Sequence, residues 1–160
     1  MDRFVVVPAS YLYLLREGTG GTGGTGGTEV LLQLRRGTGY MDEHWAAAAA
    51  GHVERGETAY DAVRREAYEE LSITEPELTF EATMQRTRYD LAIDERVDFF
   101  FSARAWRGEP RIVEPEKCAE LRWCPLDDLP DPVVPHERLA LANLGTEVKY
   151  LTFGFDQEHT

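Results

Sequence analysis

Hydrophobic and polar positions divide this chain into many short segments. Phe4 to Arg16 is rich in Val, Leu and Tyr and predicts one or two strand segments, with Pro8 at an edge or bulge. Glu29 to Arg35 alternates as a strand does. Between them, Gly18 to Thr28 reads GTGGTGGTGGT, a low-complexity stretch that predicts a flexible loop closing a hairpin. A phosphate-cradling P-loop would end in Gly-Lys-Ser/Thr, but Thr28 runs straight into Glu29. Gly37 to Trp45 reads as a polar loop, and the alanine run 46–50 fits either a helix or a strand. After Gly51 and Gly56, Thr58 and Asp61 form a capping-box variant at the start of a helix that runs to about Leu71. Pro76 forbids much extension. Further strands are predicted over 83–90, 97–106 and 121–124. A proline-rich irregular stretch and a second helix over 136–144 follow. Interspersed strands and helices give an α/β or α+β class with a mixed sheet. A chain of 160 residues fits one domain spanning 1–160.

Composition narrows the partners. Hydrophobic residues make up 42%, enough to offset chain entropy with a core. The net charge of −12, with no visible basic patch, argues against a nucleic-acid polymer as partner. A chain this acidic binds a polyphosphate only through a divalent cation or a local cluster of arginines. The basic residues are nearly all arginine, Lys117 and Lys149 being the only lysines. Cys118 and Cys124 make neither a disulfide framework nor a zinc site and read as reduced cytoplasmic thiols. The apolar run Phe4 to Leu15 is too short to span a membrane, and its flanks do not suit a signal peptide.

The first helix breaks its own pattern. At about 100° per residue, Ala59, Ala62, Val63 and Ala67 share one face, which should pack on the sheet. Glu66 and Glu70 fall inside that arc, with Glu69 at its border. A run of acidic residues is usually a solvated face, but these glutamates share the small-residue side. Carboxylates near a buried face are costly unless a cation compensates them. Glu66, Glu69 and Glu70 are three- and four-residue neighbours on the helix, and an oxygen-rich cluster of this kind suits Mg²⁺ or Mn²⁺. Arg65 offers an alternative cation for the same carboxylates.

The stretch GHVERGETAYDAVRREAYEELSI resembles the Nudix box, G-x5-E-x7-R-E-U-x-E-E-x-G-U, where U is aliphatic. Gly51, Glu57, Arg65, Glu66, Glu69, Glu70 and Ile73 fall at its fixed positions. Ala67 occupies an aliphatic position where a larger residue is common. Ser72 stands where the family has the glycine that ends the helix in a left-handed conformation, which leaves the helix end open. The resemblance implies a Nudix-type α/β/α sandwich with the box as a loop–helix–loop against a mixed sheet. It also implies Glu66, Glu69 and Glu70 as metal ligands, with the Gly51 carbonyl as a further one. Glu57 would order the site through metal-bound water, and Arg65 would orient the glutamates. A later-loop glutamate often assists in the family. Glu114, Glu116 and Glu120 compete for that role here, and Glu116 is favoured.

The implied activity is Mg²⁺-dependent hydrolysis of a phosphoanhydride in a nucleotide substrate. The best candidate is cleavage of a nucleoside triphosphate to the monophosphate and pyrophosphate, and ADP-ribose or a nucleotide sugar is the alternative. A nucleotide sensor without catalysis would not need all four glutamates. Tyr40, Trp45 and Phe99 to Phe101 are candidates for stacking on a base. His136, after Pro135, is a candidate pocket residue, although Ala140 rules out HExxH. His52 reads as a loop or substrate-edge residue rather than a metal ligand. A homodimer is common among small hydrolases of this kind, but nothing in the sequence locates an interface.

Overall fold

A computed structural model describes residues 3–18, 27–89 and 91–155. The central strand, β1 (Val7–Glu17), is buried on both faces, which explains its nearly continuous apolar sequence. Tyr11, Tyr13 and Leu15 point to one face and Leu12 and Leu14 to the other. Strands β2 (Thr28–Arg35), β3 (Trp45–Ala47) and β4 (Ala49–His52) follow, then helix α1 (Ala59–Leu71). The chain continues through β5 (Leu78–Arg86), a 3-10 turn at Ala92–Asp94, β6 (Arg96–Ala103) and β7 (Cys118–Pro125). It closes with helix α2 (Pro135–Ala142) and β8 (Tyr150–Phe153).

The strands form one mixed sheet in the order β3-β2-β1-β6-β5-β8, with β4 on β1 and β7 on β2. β1 runs parallel to β6 and antiparallel to β4 and to the start of β2. Helix α1 packs on one face through Val63, Ala67 and Leu71, against Leu12, Leu14 and Phe101. Helix α2 covers the other through Ala140 and Leu141, against Tyr13, Met84 and Phe100. The result is the α/β/α arrangement with a mixed central sheet.

Several elements differ from the sequence reading. The alanine run is strand, broken at Ala48 between β3 and β4. Buried Gln33 donates to Ala47 O at 2.9 Å and Ala48 O at 3.4 Å, satisfying carbonyls at that break. Pairing with β1 and β2 overrides alanine's helix preference. β5 starts five residues earlier than 83, at Leu78, and β8 had no sequence signal. The strand expected over 121–124 extends to Cys118–Pro125. β1 and β2 form the expected hairpin, while residues 19–26 of the Gly/Thr loop lie outside the described residues. Among the described residues no helix is long and apolar enough to cross a membrane.

Helix α1 begins as its sequence predicts. Thr58 accepts from Asp61 N–H at 3.0 Å, and Asp61 accepts from Thr58 N–H at 3.0 Å. At the other end Ser72 takes the left-handed conformation (φ 60°, ψ 33°) that the family glycine would take. Its N–H bonds Tyr68 O at 3.0 Å, and the buried Ile73 N–H reaches back to Ala67 O at 3.5 Å. The helix therefore ends on schedule, at the cost of placing a Cβ in a region that disfavours it. Ser72→Gly should raise the unfolding free energy by about 0.5–1 kcal/mol, read from the urea midpoint. An unchanged or lowered midpoint would show that the serine is not strained.

Candidate active site

One guanidinium organises the carboxylates of α1 and the loop before it. Arg65 meets Glu57 through both Nε (2.7 Å to Oε2) and Nη2 (3.0 Å to Oε1), a bidentate fork. Its Nη1 donates to Glu66 Oε1 at 2.7 Å and to Glu69 Oε2 at 3.3 Å. Its Nη2 also reaches His52 O at 3.1 Å, tying α1 to the end of β4. Glu57 is itself set by Glu54 N–H, which donates to Oε1 at 2.9 Å. The Arg65 hydrogen bonds hold the Glu57 carboxyl down at about 2.

Glu66 and Glu70 turn toward the sheet. Glu70 Oε2 accepts from Ala50 N–H at 2.8 Å. Glu66 lies against Gly51, where any Cβ would overlap its carboxylate. The two carboxyls lie near enough for each to perturb the other's proton affinity. Burial raises both pKa values above the ordinary range, and the charge of Glu66 raises that of Glu70 further. Glu69 is half exposed and stands off on Arg65. Among the described residues no three His, Cys, Asp or Glu side chains are gathered as a ready-made metal cage.

Beside Glu70, a small cavity is lined by Glu114, Lys117 and Cys118. The charge of Glu114 also pushes the Glu70 pKa up. Glu114 is thus the later-loop glutamate that shares a cavity with Glu70. Glu116, favoured from sequence, is exposed and contributes its backbone carbonyl to the packing against Gly37. Glu120 pairs with Arg122 at 2.9 Å. Which glutamate of the loop meets the helix depends on the tertiary path of the loop, which the sequence pattern does not show.

On the opposite face of the sheet a cavity of about 300 Å³ adjoins Gly51 and His52. A second, of about 430 Å³, shares Tyr40, Arg86 and His136 with the first and adds Tyr89 and Phe153. His136 is buried at the start of α2, its Nε2 3.1 Å from Tyr11 OH. Burial and then the charges of Arg86, Arg96 and Arg35 lower its pKa well below the usual histidine value. Tyr40 lines both cavities, whereas Trp45 lines neither. The Trp45 ring is buried in the α2-side core with the Arg122 guanidinium 4.5 Å above it, because its position on β3 turns it inward. Phe100 and Phe101 are core residues as well. Sequence reasoning missed Arg35, Arg86, Arg96, Asp98 and Glu137, which converge from four distant elements. The bias toward arginine over lysine was the available signal.

The fold recurs in known proteins. The NUDIX domain model matches residues 16–144. The chain belongs to the Nudix family of pyrophosphohydrolases. No curated protein matches it. Among solved structures, this Nudix chain resembles a MutT NUDIX hydrolase from Burkholderia pseudomallei. The identity is 28%, over 84% of this chain and 97% of that one, with a TM-score of 0.65. The MutT protein from Bacillus halodurans shares the fold at 21% identity, over 97% and 94% of the two chains, with a TM-score of 0.72. The NUDIX domain of NrtR from Shewanella oneidensis, solved with ADP-ribose, shares it at 17% identity, over 86% of each chain, with a TM-score of 0.63.

The Arg65–Glu57 fork has a pH signature. A carboxyl held at about 2 when folded, against 4.5 in the unfolded chain, contributes stability that is complete above 4.5 and lost as pH falls toward 2. The gap in urea midpoint between wild type and Glu57→Gln should therefore be constant near neutrality and close as pH falls through that window. A gap that persists at the acid end would contradict the ion pair.

Proposed function

We propose that this chain hydrolyses a phosphoanhydride in a nucleotide with Mg²⁺, or Mn²⁺ in its place. The best reading of the substrate is a nucleoside triphosphate, giving the monophosphate and pyrophosphate. The observation that carries this is the contact between Glu66 and Glu70, two carboxyls packed against β4 beside a cleft lined by arginines. Such a pair fits a hard divalent cation. Its oxygens are partly desolvated, and burial raises the proton affinity of both carboxyls in the absence of a cation. Glu66, Glu69 and Glu70, with the Gly51 carbonyl, would hold the ion. When bound, it neutralises the phosphate oxygens and acidifies a water for attack on phosphorus.

The chain's own residues have distinct tasks in this reading. Arg65 fixes the Glu66 and Glu69 rotamers, and Glu57 fixes Arg65. Gly51 lets the Glu66 carboxylate approach the strand. Glu70 is anchored through Oε2 by the Ala50 N–H, which leaves Oε1 for the cation. Glu114 is the residue we assign to the assisting role of the later loop, in place of Glu116. Tyr40 and His136 contribute to the substrate cleft. The free thiols of Cys118 and Cys124 support a cytoplasmic setting.

A second reading, cleavage of ADP-ribose or a nucleotide sugar, draws on the two adjoining cavities, which leave room for a substrate in two parts. A panel of nucleoside triphosphates, ADP-ribose and nucleotide sugars, assayed with Mg²⁺ or with chelator, separates these readings. Triphosphates should release pyrophosphate, and Glu70→Gln should lose about a hundredfold or more in kcat while remaining folded. Sugar-phosphate release without pyrophosphate would select the second reading. Metal-free nucleotide binding with no turnover, equal in wild type and Glu70→Gln, would replace both with a sensing role.

A further inference from the structure

The cavity beside Gly51 reverses the charge of the molecule around it. Three guanidinium groups line it, in a chain of net charge −12. Arg86 is neutralised, its Nε donating to the fully buried Asp98 at 2.5 Å. Arg35 and Arg96 are not. Neither has a carboxylate oxygen within 4.0 Å among the described residues. Arg35 uses Nε on Tyr40 O (2.9 Å) and Nη2 on Thr38 Oγ1 (3.1 Å). Arg96 uses Nε on Ile93 O (2.6 Å), and its Nη1 lies 3.1 Å from His52 Nε2. Each guanidinium keeps one amino group with no hydrogen bond to the described residues, Nη1 of Arg35 and Nη2 of Arg96.

The nearby carboxyls are engaged elsewhere. Asp42 accepts from Thr38 N–H, Thr38 Oγ1 and Gly39 N–H. Glu137 Oε1 accepts from Tyr13 OH and Ala47 N–H, both at 2.7 Å, and burial pushes this carboxyl up to about 7. Backbone carbonyls thus hold two partly exposed guanidinium groups, neither in a direct ion pair, in place facing one cavity. Such an arrangement leaves charged N–H donors free to meet an anion.

The order of groups along the cleft identifies the anion. The carboxylates of α1 lie behind Gly51, and Gly51, His52 and Arg96 line the first cavity. Tyr40, Arg86 and His136 join it to the second, where Tyr89 and Phe153 add aromatic surface. We propose that Arg35 and Arg96 clamp the phosphate nearest the nucleoside, with the carboxylate site taking the next phosphate and the aromatic cavity taking the base. This assignment rests on the reading of the chain as a nucleotide hydrolase. It adds an anion site made by this chain's own side chains, one that needs no divalent cation.

Calorimetric titration in EDTA tests it, with inorganic pyrophosphate and each of the four common nucleoside 5′-monophosphates as probes. Wild type should bind pyrophosphate and at least one monophosphate, and the matching nucleoside should bind at least about tenfold more weakly. Arg35→Gln and Arg96→Gln should each weaken phosphate binding by about tenfold or more. Arg104→Gln, on the same side of the chain's charge balance but paired with Glu17 outside this cavity, should leave it unchanged. Thermal melts establish that each variant folds, and Arg96→Lys, which keeps charge but loses the fork, replaces any that does not, with an intermediate loss expected. Absence of binding to wild type, or equal binding by the arginine variants, overturns the clamp. Turnover is measured separately with Mg²⁺. Active enzyme with arginine-independent anion binding would sink the clamp alone. Arginine-dependent binding without turnover of any substrate would sink the hydrolase reading alone.

Discussion

Arg65 is the constraint on which the candidate site depends. Its five N–H donors are distributed over Glu57, Glu66, Glu69 and the His52 carbonyl, so one side chain sets the loop before α1, the helix itself and the end of β4. Without it, carboxylates within one helical turn would repel one another and turn to solvent. A lysine would supply the charge but not the planar fork that holds Glu57 at two points. The guanidinium also explains why such an acidic helix can pack on a sheet, since part of its charge is compensated before any ligand binds.

The second requirement is close approach. β4 carries Ala49, Ala50 and Gly51 where it meets α1, and the missing Cβ at Gly51 is occupied by the Glu66 carboxylate. Ala50 supplies its N–H to Glu70 from the same short strand. The helix face that meets it is equally small, with Ala62 and Ala67 fully buried. Small residues on both surfaces bring polar groups near a core without leaving them unpaired. The same sheet, on its other face, presents arginines from the end of β2 and the start of β6 to a cavity under α2. A single layer of strands therefore separates a carboxylate-rich face from a cation-rich cleft, and Gly51 and His52 stand where the two meet.

The parts of this arrangement that are local in sequence were legible in it. Thr58 and Asp61 cap α1 as their spacing requires, and the wheel that put Glu66 and Glu70 on the small-residue face agrees with their burial. Ser72 shows that the left-handed helix end survives loss of its usual glycine, because the backbone bonds of the turn outweigh the strain. Features that depend on distant pairing were not legible. Alanine has no side chain to declare a strand, so the run at 46–50 was decided by β1 and β2. Trp45 has the composition of a stacking residue but faces the core, since a strand turns alternate side chains to opposite faces. Glu114 and Glu116 are two residues apart in one loop, and only the path of that loop puts Glu114 beside Glu70. Arg35 and Arg96 come together only because β1 lies between their strands.

Electron paramagnetic resonance of Mn²⁺ titrated into nucleotide-free protein tests whether Glu66 and Glu70 form a divalent-cation site held in shape by Arg65. Wild type should show a bound fraction that Mg²⁺ displaces and that falls at least about tenfold in affinity in Glu66→Gln and Glu70→Gln, with a smaller loss in Arg65→Lys. Mn²⁺ binding that is equal in all four proteins, or absent from the folded wild type, would contradict it.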